Sequence, residues 1–218
     1  MFRLAKYTAV LAAAIMITAA AAFADDPAKA APAAVPSGDV SLIGKKAPDF
    51  SLTDTDGKTH TLQEYLSAGK TVVLHWYNPN CPFIIRHFKT YPTFTTLATD
   101  YSKKNVVVIA INSTGPKHPQ YGGDAASKKT WGIQYPILLD PTGAVGKLYG
   151  AKTTPHTFVI SSDGIIRYSG AIDNDPQDKL AAKDKLNYAR QALDEVLAGK
   201  PVSVSETRPY GCGVHYSE

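Results

Sequence analysis

An open α/β sheet with helices on both faces is the fold this sequence predicts. Three observations carry it. Two short runs, residues 71–77 (TVVLHWY) and 106–111 (VVVIAI), are β-branched or aromatic with little polarity, as expected of strands buried on both faces. Helical patterns alternate with strand patterns in the order β-α-β-α-β. A hairpin signal at Asp163-Gly164 and a final amphipathic run then complete the domain.

The elements follow in order. Residues 49–53 and 58–62, separated by Asp56-Gly57, predict an N-terminal hairpin. Residues 63–68 predict a short helix, and 71–77 the first buried strand. Residues 82–103 carry a helical pattern in which Pro92 is expected to form a kink. The second buried strand is 106–111. A helix at 124–131, a short strand at 137–139 and a short helix at 144–149 come next. Residues 156–161 and 165–169 flank Asp163-Gly164. Residues 179–198 predict one long helix, with Leu180, Leu186, Ala189, Leu193 and Leu197 on one stripe. Gly199 and Pro201 end it. Residues 201–218 read as a tail.

The start of the chain reads as an address. Arg3 and Lys6 precede an almost wholly apolar run, and Ala22-Phe23-Ala24 fits a small-x-small cleavage site. That pattern is a secretory signal peptide over residues 1–24, cut before Asp25. The competing reading is a membrane anchor, but the run of about 16 residues falls short of the ~20 that span a bilayer. An Ala/Pro-rich linker over 25–40 and a globular domain over 41–200 follow. An exported chain works where disulfides persist, such as a bacterial periplasm.

Composition narrows the function. The chain has 218 residues, 44% of them hydrophobic, which suits one domain with extensions. The formal charge of +4 is mild and no long basic run exists, so no nucleic-acid partner is expected. No membrane association is expected after signal cleavage. Two cysteines, Cys81 and Cys212, exclude a disulfide-dense scaffold and a four-cysteine zinc site.

The chemistry concentrates in His75-Trp76-Tyr77-Asn78-Pro79-Asn80-Cys81-Pro82. A buried strand ends, a polar turn follows, and a cysteine opens a helix with proline at its first position. The helix start offers unpaired N–H groups and partial positive charge, which stabilise a thiolate and make the sulfur nucleophilic. The plain alternative is an inert buried cysteine. A second feature, Thr153-Thr154-Pro155-His156, places a proline at a strand start, and its peptide isomer is open from sequence.

These features together resemble the thioredoxin fold: an aromatic strand end, a Cys-Pro helix start and a Thr-Pro before a later strand. Ala47-Pro48-Asp49-Phe50-Ser51-Leu52 and the wider layout resemble its redoxin branch, the alkyl hydroperoxide reductase/thiol-specific antioxidant type with its peroxiredoxin-like members. Gly211-Cys212-Gly213-Val214-His215 resembles the Gly-Cys ending of peroxiredoxin-like proteins. The resemblance covers about residues 42–216. It implies a thioredoxin-like α/β fold, a central mixed sheet flanked by helices with an N-terminal hairpin extension. It also implies that Cys81 is the nucleophile, that Pro155 is a cis-proline facing it, and that the Thr154 backbone pairs with a bound thiol substrate. No cofactor and no resident metal are expected.

Two departures matter. Thioredoxins carry a second cysteine three residues after the first, where this chain has Ile84. Peroxiredoxins carry Thr or Ser three residues before the cysteine, where this chain has Asn78, and an arginine near the position of Pro155. Asn78 remains a possible hydrogen-bond donor in the site. Arg86 and His87 are candidate sources of positive charge.

Cys212 lies between glycines, so its backbone bends freely. Three roles stay open for it: a resolving cysteine for Cys81, a static staple of the tail, or an intermolecular partner. The leading function is an exported thiol oxidoreductase acting on a thiol or disulfide protein partner. One alternative is a peroxiredoxin-like peroxidase acting on a peroxide. Another is a non-enzymatic copper- or partner-binding module, for which His75, His87, His156 and His215 are candidate ligands with the cysteines. Trp76, Tyr77, Phe83, Phe88, Trp131 and Tyr135 read as packing residues.

Overall fold

The computed structural model describes residues 41–217, so the signal peptide expected over 1–24 and the linker expected over 25–40 lie outside the described residues. The N-terminal hairpin is present as β1 (Ser51–Asp54) and β2 (Thr59–Thr61). The Asp54 carboxylate fixes its turn by accepting the N–H groups of Asp56 and Lys58, both at 2.9 Å. Helix α1 (Leu62–Ser67) starts in a capping box, in which Thr61 and Glu64 satisfy each other's backbone N–H.

Strand β3 (Thr71–Trp76) leads to α2 (Pro82–Lys89) and α3 (Thr93–Tyr101). Then come β4 (Val106–Asn112), α4 (Asp124–Thr130), β5 (Ile137–Leu139) and α5 (Ala144–Leu148). Strands β6 (Thr153–Thr154), β7 (Thr157–Ile160) and β8 (Ile166–Gly170) precede α6 (Tyr188–Leu197) and β9 (Cys212–Gly213). Seven strands make one sheet in the order β2-β1-β5-β4-β3-β7-β8. The centre β5-β4-β3 is parallel, β1 joins β5 and β7 joins β3 antiparallel, and β8 pairs antiparallel with β7, so the sheet is mixed. The hairpin extends the sheet beyond β5 as an edge.

Alternation along β3 builds two cores. Val72, Leu74 and Trp76 point to one layer with Leu62 of α1 and Val145 of α5. Val73 and the following Tyr77 point to the other, with Ile84 of α2, Phe94 of α3 and Leu193 of α6. A strand with two buried faces needs apolar residues at every position, which explains the near-continuous hydrophobic run.

Two expectations are corrected. Residues 82–103 are two helices rather than one kinked helix. Pro92 is the N-cap of α3, and a proline disfavours helical geometry in the residue before it, so the chain breaks at Thr90-Tyr91. The long helix expected over 179–198 is confined to Tyr188–Leu197, preceded by a 3₁₀ turn at Ala182–Asp184. The Asp175 carboxylate captures the N–H groups of Lys179 (2.8 Å) and Leu180 (3.1 Å), and Asn174 bonds Leu186 N and Asp184 O. Asn187 then caps α6 through Arg190 N at 2.8 Å. Leu180, Leu186 and Leu197 are consequently exposed, and the buried stripe is Ala189, Ala192 and Leu193.

Residues 201–217 do not form a loose tail. Thr207 N bonds Ser169 O at 3.1 Å, its hydroxyl accepts Ala171 N at 2.9 Å, and β9 pairs with β6. Further on, Gly115 N bonds His215 O (2.7 Å), Tyr216 Oη bonds Ala151 O (2.6 Å) and Ser217 Oγ bonds Pro141 O (2.7 Å). The segment is a strap across the body.

Candidate active site

Beyond Trp76, the turn Asn78-Pro79-Asn80 closes through Cys81 N to Asn78 O at 3.1 Å. Cys81 is the N-cap of α2, with extended backbone (φ −83°, ψ 123°), and its carbonyl accepts Ile85 N at 2.9 Å. Pro82 occupies the first helical position, where no N–H is needed. Cys81 sits at the positive end of the helix as its N-cap residue, and its side chain makes no capping bond.

The sulfur faces the Thr154-Pro155 peptide, which is cis. Cys81 Sγ donates to Thr154 O at 3.1 Å. The Thr154 hydroxyl is buried and has no hydrogen-bond partner among the described residues. Strand β9 lies antiparallel to β6, with Thr153 opposite Gly213 and Thr154 opposite Cys212. Gly211 has φ +142°, and a Cβ there would lie 2.2 Å from Thr154 O. Only glycine fits this approach.

Both cysteines are free thiols. Cys81 is fully buried at 0% exposure, and Cys212 is half-buried against the same core. The Cys212 thiol is pushed up to about 12, first by burial, then by a side-chain hydrogen bond with Cys81 and by the Cys81 charge. Cys212 packs against the core that holds Cys81, and strand pairing sets it opposite Thr154, whose carbonyl accepts the Cys81 thiol. The free bending anticipated for Cys212 is replaced by strand pairing.

Asn78 is employed elsewhere. Its Oδ1 accepts Asn80 N at 2.8 Å, and its Nδ2 donates to Thr114 Oγ1 at 2.8 Å and Gln120 O at 3.4 Å. Asn78 braces the turn before Cys81 against the loop after β4. Arg86 donates to Pro176 O (3.0 Å), Asp175 O (3.3 Å) and Tyr210 Oη (3.4 Å). Burial lowers His87 to about 4, so at neutral pH its ring is uncharged. It adds no positive charge near Cys81, contrary to the sequence expectation.

The four candidate histidines do not gather into one site, although His75 and His87 both pack on Phe94. His75 is buried, stacks on Phe94 with centroids 3.9 Å apart, and bonds Tyr135 Oη at 3.1 Å. His87 bonds Thr93 Oγ1 and Tyr210 Oη. His156 accepts Lys152 N and bonds Ser169 Oγ, both at 3.2 Å. His215 stacks on His118 at 3.7 Å. Among the described residues, no three His, Cys, Asp or Glu side chains converge as metal ligands. Tyr210 and Asp173 are site features that sequence reasoning missed. The only sequence signal for the first was its position two residues before Cys212.

The chain is similar to known proteins in sequence and in fold. Residues 43–169 match the AhpC/TSA family. The thiol-disulfide oxidoreductase ResA of Geobacillus thermodenitrificans is 30% identical over 125 residues, 57% of this chain and 67% of that protein. The selenocysteine-containing peroxiredoxin PrxU of Peptoclostridium acidaminophilum is 33% identical over 140 residues, 57% of this chain and 65% of that protein. The chain thus spans about two thirds of the length of these curated relatives. The crystal structure of an uncharacterized conserved protein from Geobacillus kaustophilus superposes with a TM-score of 0.72 at 29% identity, covering 82% of this chain and 94% of that one.

Proposed function

The chain belongs to the AhpC/TSA family, and from that premise we propose that it is a thiol-disulfide oxidoreductase in which Cys81 is the nucleophile and Cys212 the resolving thiol. One observation carries the reading: Cys81 caps a helix beside the cis Thr154-Pro155 peptide, and strand pairing lays Cys212 opposite Thr154. The Cys81 thiolate attacks one sulfur of a partner's disulfide. A Cys81–partner bond forms, the partner's S–S bond breaks, and its other sulfur leaves as a thiolate. Cys212 then loses its proton and attacks the Cys81 sulfur. The intramolecular disulfide forms and the second partner thiol departs. The partner gains two electrons and the two cysteines lose them.

The high proton affinity of Cys212 suits this order. While Cys81 carries charge, Cys212 holds its proton. Once Cys81 is covalently engaged, that charge is gone and only burial opposes ionisation of Cys212. Because Cys81 is fully buried, β9 lifts from β6 before a partner enters. Asn78 braces the turn that carries Cys81, Pro155 follows Thr154 through its cis peptide, and Thr154 supplies its carbonyl to the sulfur. We further propose export through residues 1–24, with the mature chain beginning at Asp25 in the periplasm.

Mass spectrometry of the secreted protein, with and without reductant, tests the scheme. The expected mass begins at Asp25, and oxidation removes two hydrogens that map to Cys81 and Cys212. Cys81→Ser is expected to abolish reduction of a disulfide substrate. Retention of turnover by that variant rules the scheme out.

The similarity to a peroxiredoxin favours a second reading with the same sulfurs. A hydroperoxide converts the Cys81 thiol to a sulfenic acid and leaves as the alcohol or water. Cys212 condenses with it, forming the disulfide and releasing water. Rapid peroxide-dependent oxidation of Cys81 is its signature. Oxidation at the rate of an ordinary free thiol excludes it.

A further inference from the structure

We infer that Tyr210 is a positioning residue for the two sulfurs, tying the strand that carries Cys212 to the helix that carries Cys81. The inference rests on the proposed pairing of Cys81 with Cys212 and extends it to a residue outside the motif.

Helix α2 presents Cys81 at its N-cap and Arg86 and His87 in its last turn. The Tyr210 hydroxyl meets both. It donates its one proton to Asp173 Oδ1 at 2.5 Å. Its oxygen then accepts from Arg86 Nη2 at 3.4 Å and from His87 Nε2 at 3.1 Å. This assignment makes His87 the Nε2–H tautomer, with Nδ1 facing Thr93 Oγ1 at 3.0 Å. The ring also packs on Phe83, with centroids 5.8 Å apart, and lies 5.8 Å from the Arg86 guanidinium carbon. Burial, then the nearby Asp173 carboxylate, hold the phenol protonated far above its ordinary range. It therefore remains a donor at every pH where the protein is used.

Only Gly211 separates this anchor from Cys212, and Gly211 is pressed onto the Thr154 carbonyl. Two residues of chain reach at most about 7 Å. A phenol fixed on α2 thus limits how far Cys212 can move from the helix that carries Cys81. The β6–β9 ladder holds Cys212 from the other side, but it is two residues long, and isolated short pairings are marginal in water. The Tyr210 hydroxyl, held by Arg86, His87 and Asp173, supplies the second fixed point.

The equilibrium with glutathione measures the positioning. Oxidised glutathione takes two electrons from Cys81 and Cys212, giving their disulfide and two reduced glutathione molecules. Its equilibrium constant reports how well the protein presents one sulfur to the other. Tyr210→Phe keeps the ring and deletes the hydroxyl. It is expected to lower that constant about 10-fold, which raises the reduction potential by about 30 mV. Tyr65→Phe, which deletes a hydroxyl bonded to His60 on the N-terminal hairpin side, is expected to leave the constant unchanged. A loss of stability shared equally by the oxidised and reduced forms does not move this potential, so the readout separates positioning from folding. If the unmodified protein pairs its cysteines and Tyr210→Phe pairs them equally well, the role of Tyr210 is overturned and the proposed function stands. If the unmodified protein forms no such disulfide, the resolving role of Cys212 falls, and this inference with it.

Discussion

Gly211 has no side chain because the Thr154 carbonyl occupies the space where one would begin. Its φ of +142° and the 2.2 Å separation from a notional Cβ leave no relaxed place for a methyl group. Gly213, on the other side of Cys212, has open space around its Cβ position. The pair makes an internal contrast. Gly211→Ala is expected to push β9 off β6, cost roughly 1–3 kcal/mol of local strain and expose Cys81. Alkylation of the reduced protein, mapped by mass, should then modify Cys81 about 10-fold faster than in the unmodified chain. Gly213→Ala should leave that rate unchanged. Equal rates in all three proteins would mean that the strand does not shield Cys81. At this scale the sequence singled out Cys81 as the candidate nucleophile, because a cysteine followed by proline at a strand-to-helix turn has few other uses, and the structure places it as the N-cap of α2. It was uninformative about Asn78. An amide shows its hydrogen-bonding capacity in sequence but not its partners, and here Thr114, Gln120 and Asn80 occupy it.

Among the elements, the central strands were legible because two-sided burial demands uninterrupted β-branched and aromatic residues. The hairpin at Asp56-Gly57 was legible because its turn needs a positive φ, and Gly57 has φ +83°. The helix before residue 200 was overextended for an equally physical reason. Leucines at 180, 186 and 197 fit a helical stripe, yet the preceding Asp173-Asn174-Asp175-Pro176 binds backbone N–H groups with its own side chains and holds residues 179–186 as a loop. Strand β9 was not legible at all. Two residues make no periodic pattern, and their partners at Thr153 and Thr154 are far away in sequence. The candidate site is correspondingly half-readable: its nucleophilic corner is local, and its cover is made by tertiary pairing.

The molecule as a whole carries an acid sensitivity in its cores. Burial lowers His75 and His156 to about 3 and His87 to about 4, against about 6.5 in an unfolded chain. Between those values the unfolded chain binds protons that the folded protein refuses. Stability is therefore complete above about pH 6.5 and declines as pH falls toward 4, by on the order of 1 kcal/mol per histidine per pH unit. Urea midpoints at pH 7 and pH 5 test this, since most carboxylates stay ionised across that interval. An unchanged midpoint would mean that the histidines take up protons within the fold.

The strap over residues 201–217 also has a kinetic meaning. A strand attached to its own acceptor edge competes with any incoming polypeptide at an effective concentration on the millimolar scale. Partners present at micromolar levels cannot displace it by mass action and must wait for it to open. Exchange rates should accordingly saturate as partner concentration rises, at one ceiling shared by unrelated disulfides, which stopped-flow measurements with two dissimilar substrates would reveal. Different ceilings would place the slow event in the chemistry. A common ceiling would mean that this oxidoreductase runs on an internal clock, set by its own last seventeen described residues rather than by the partner it meets.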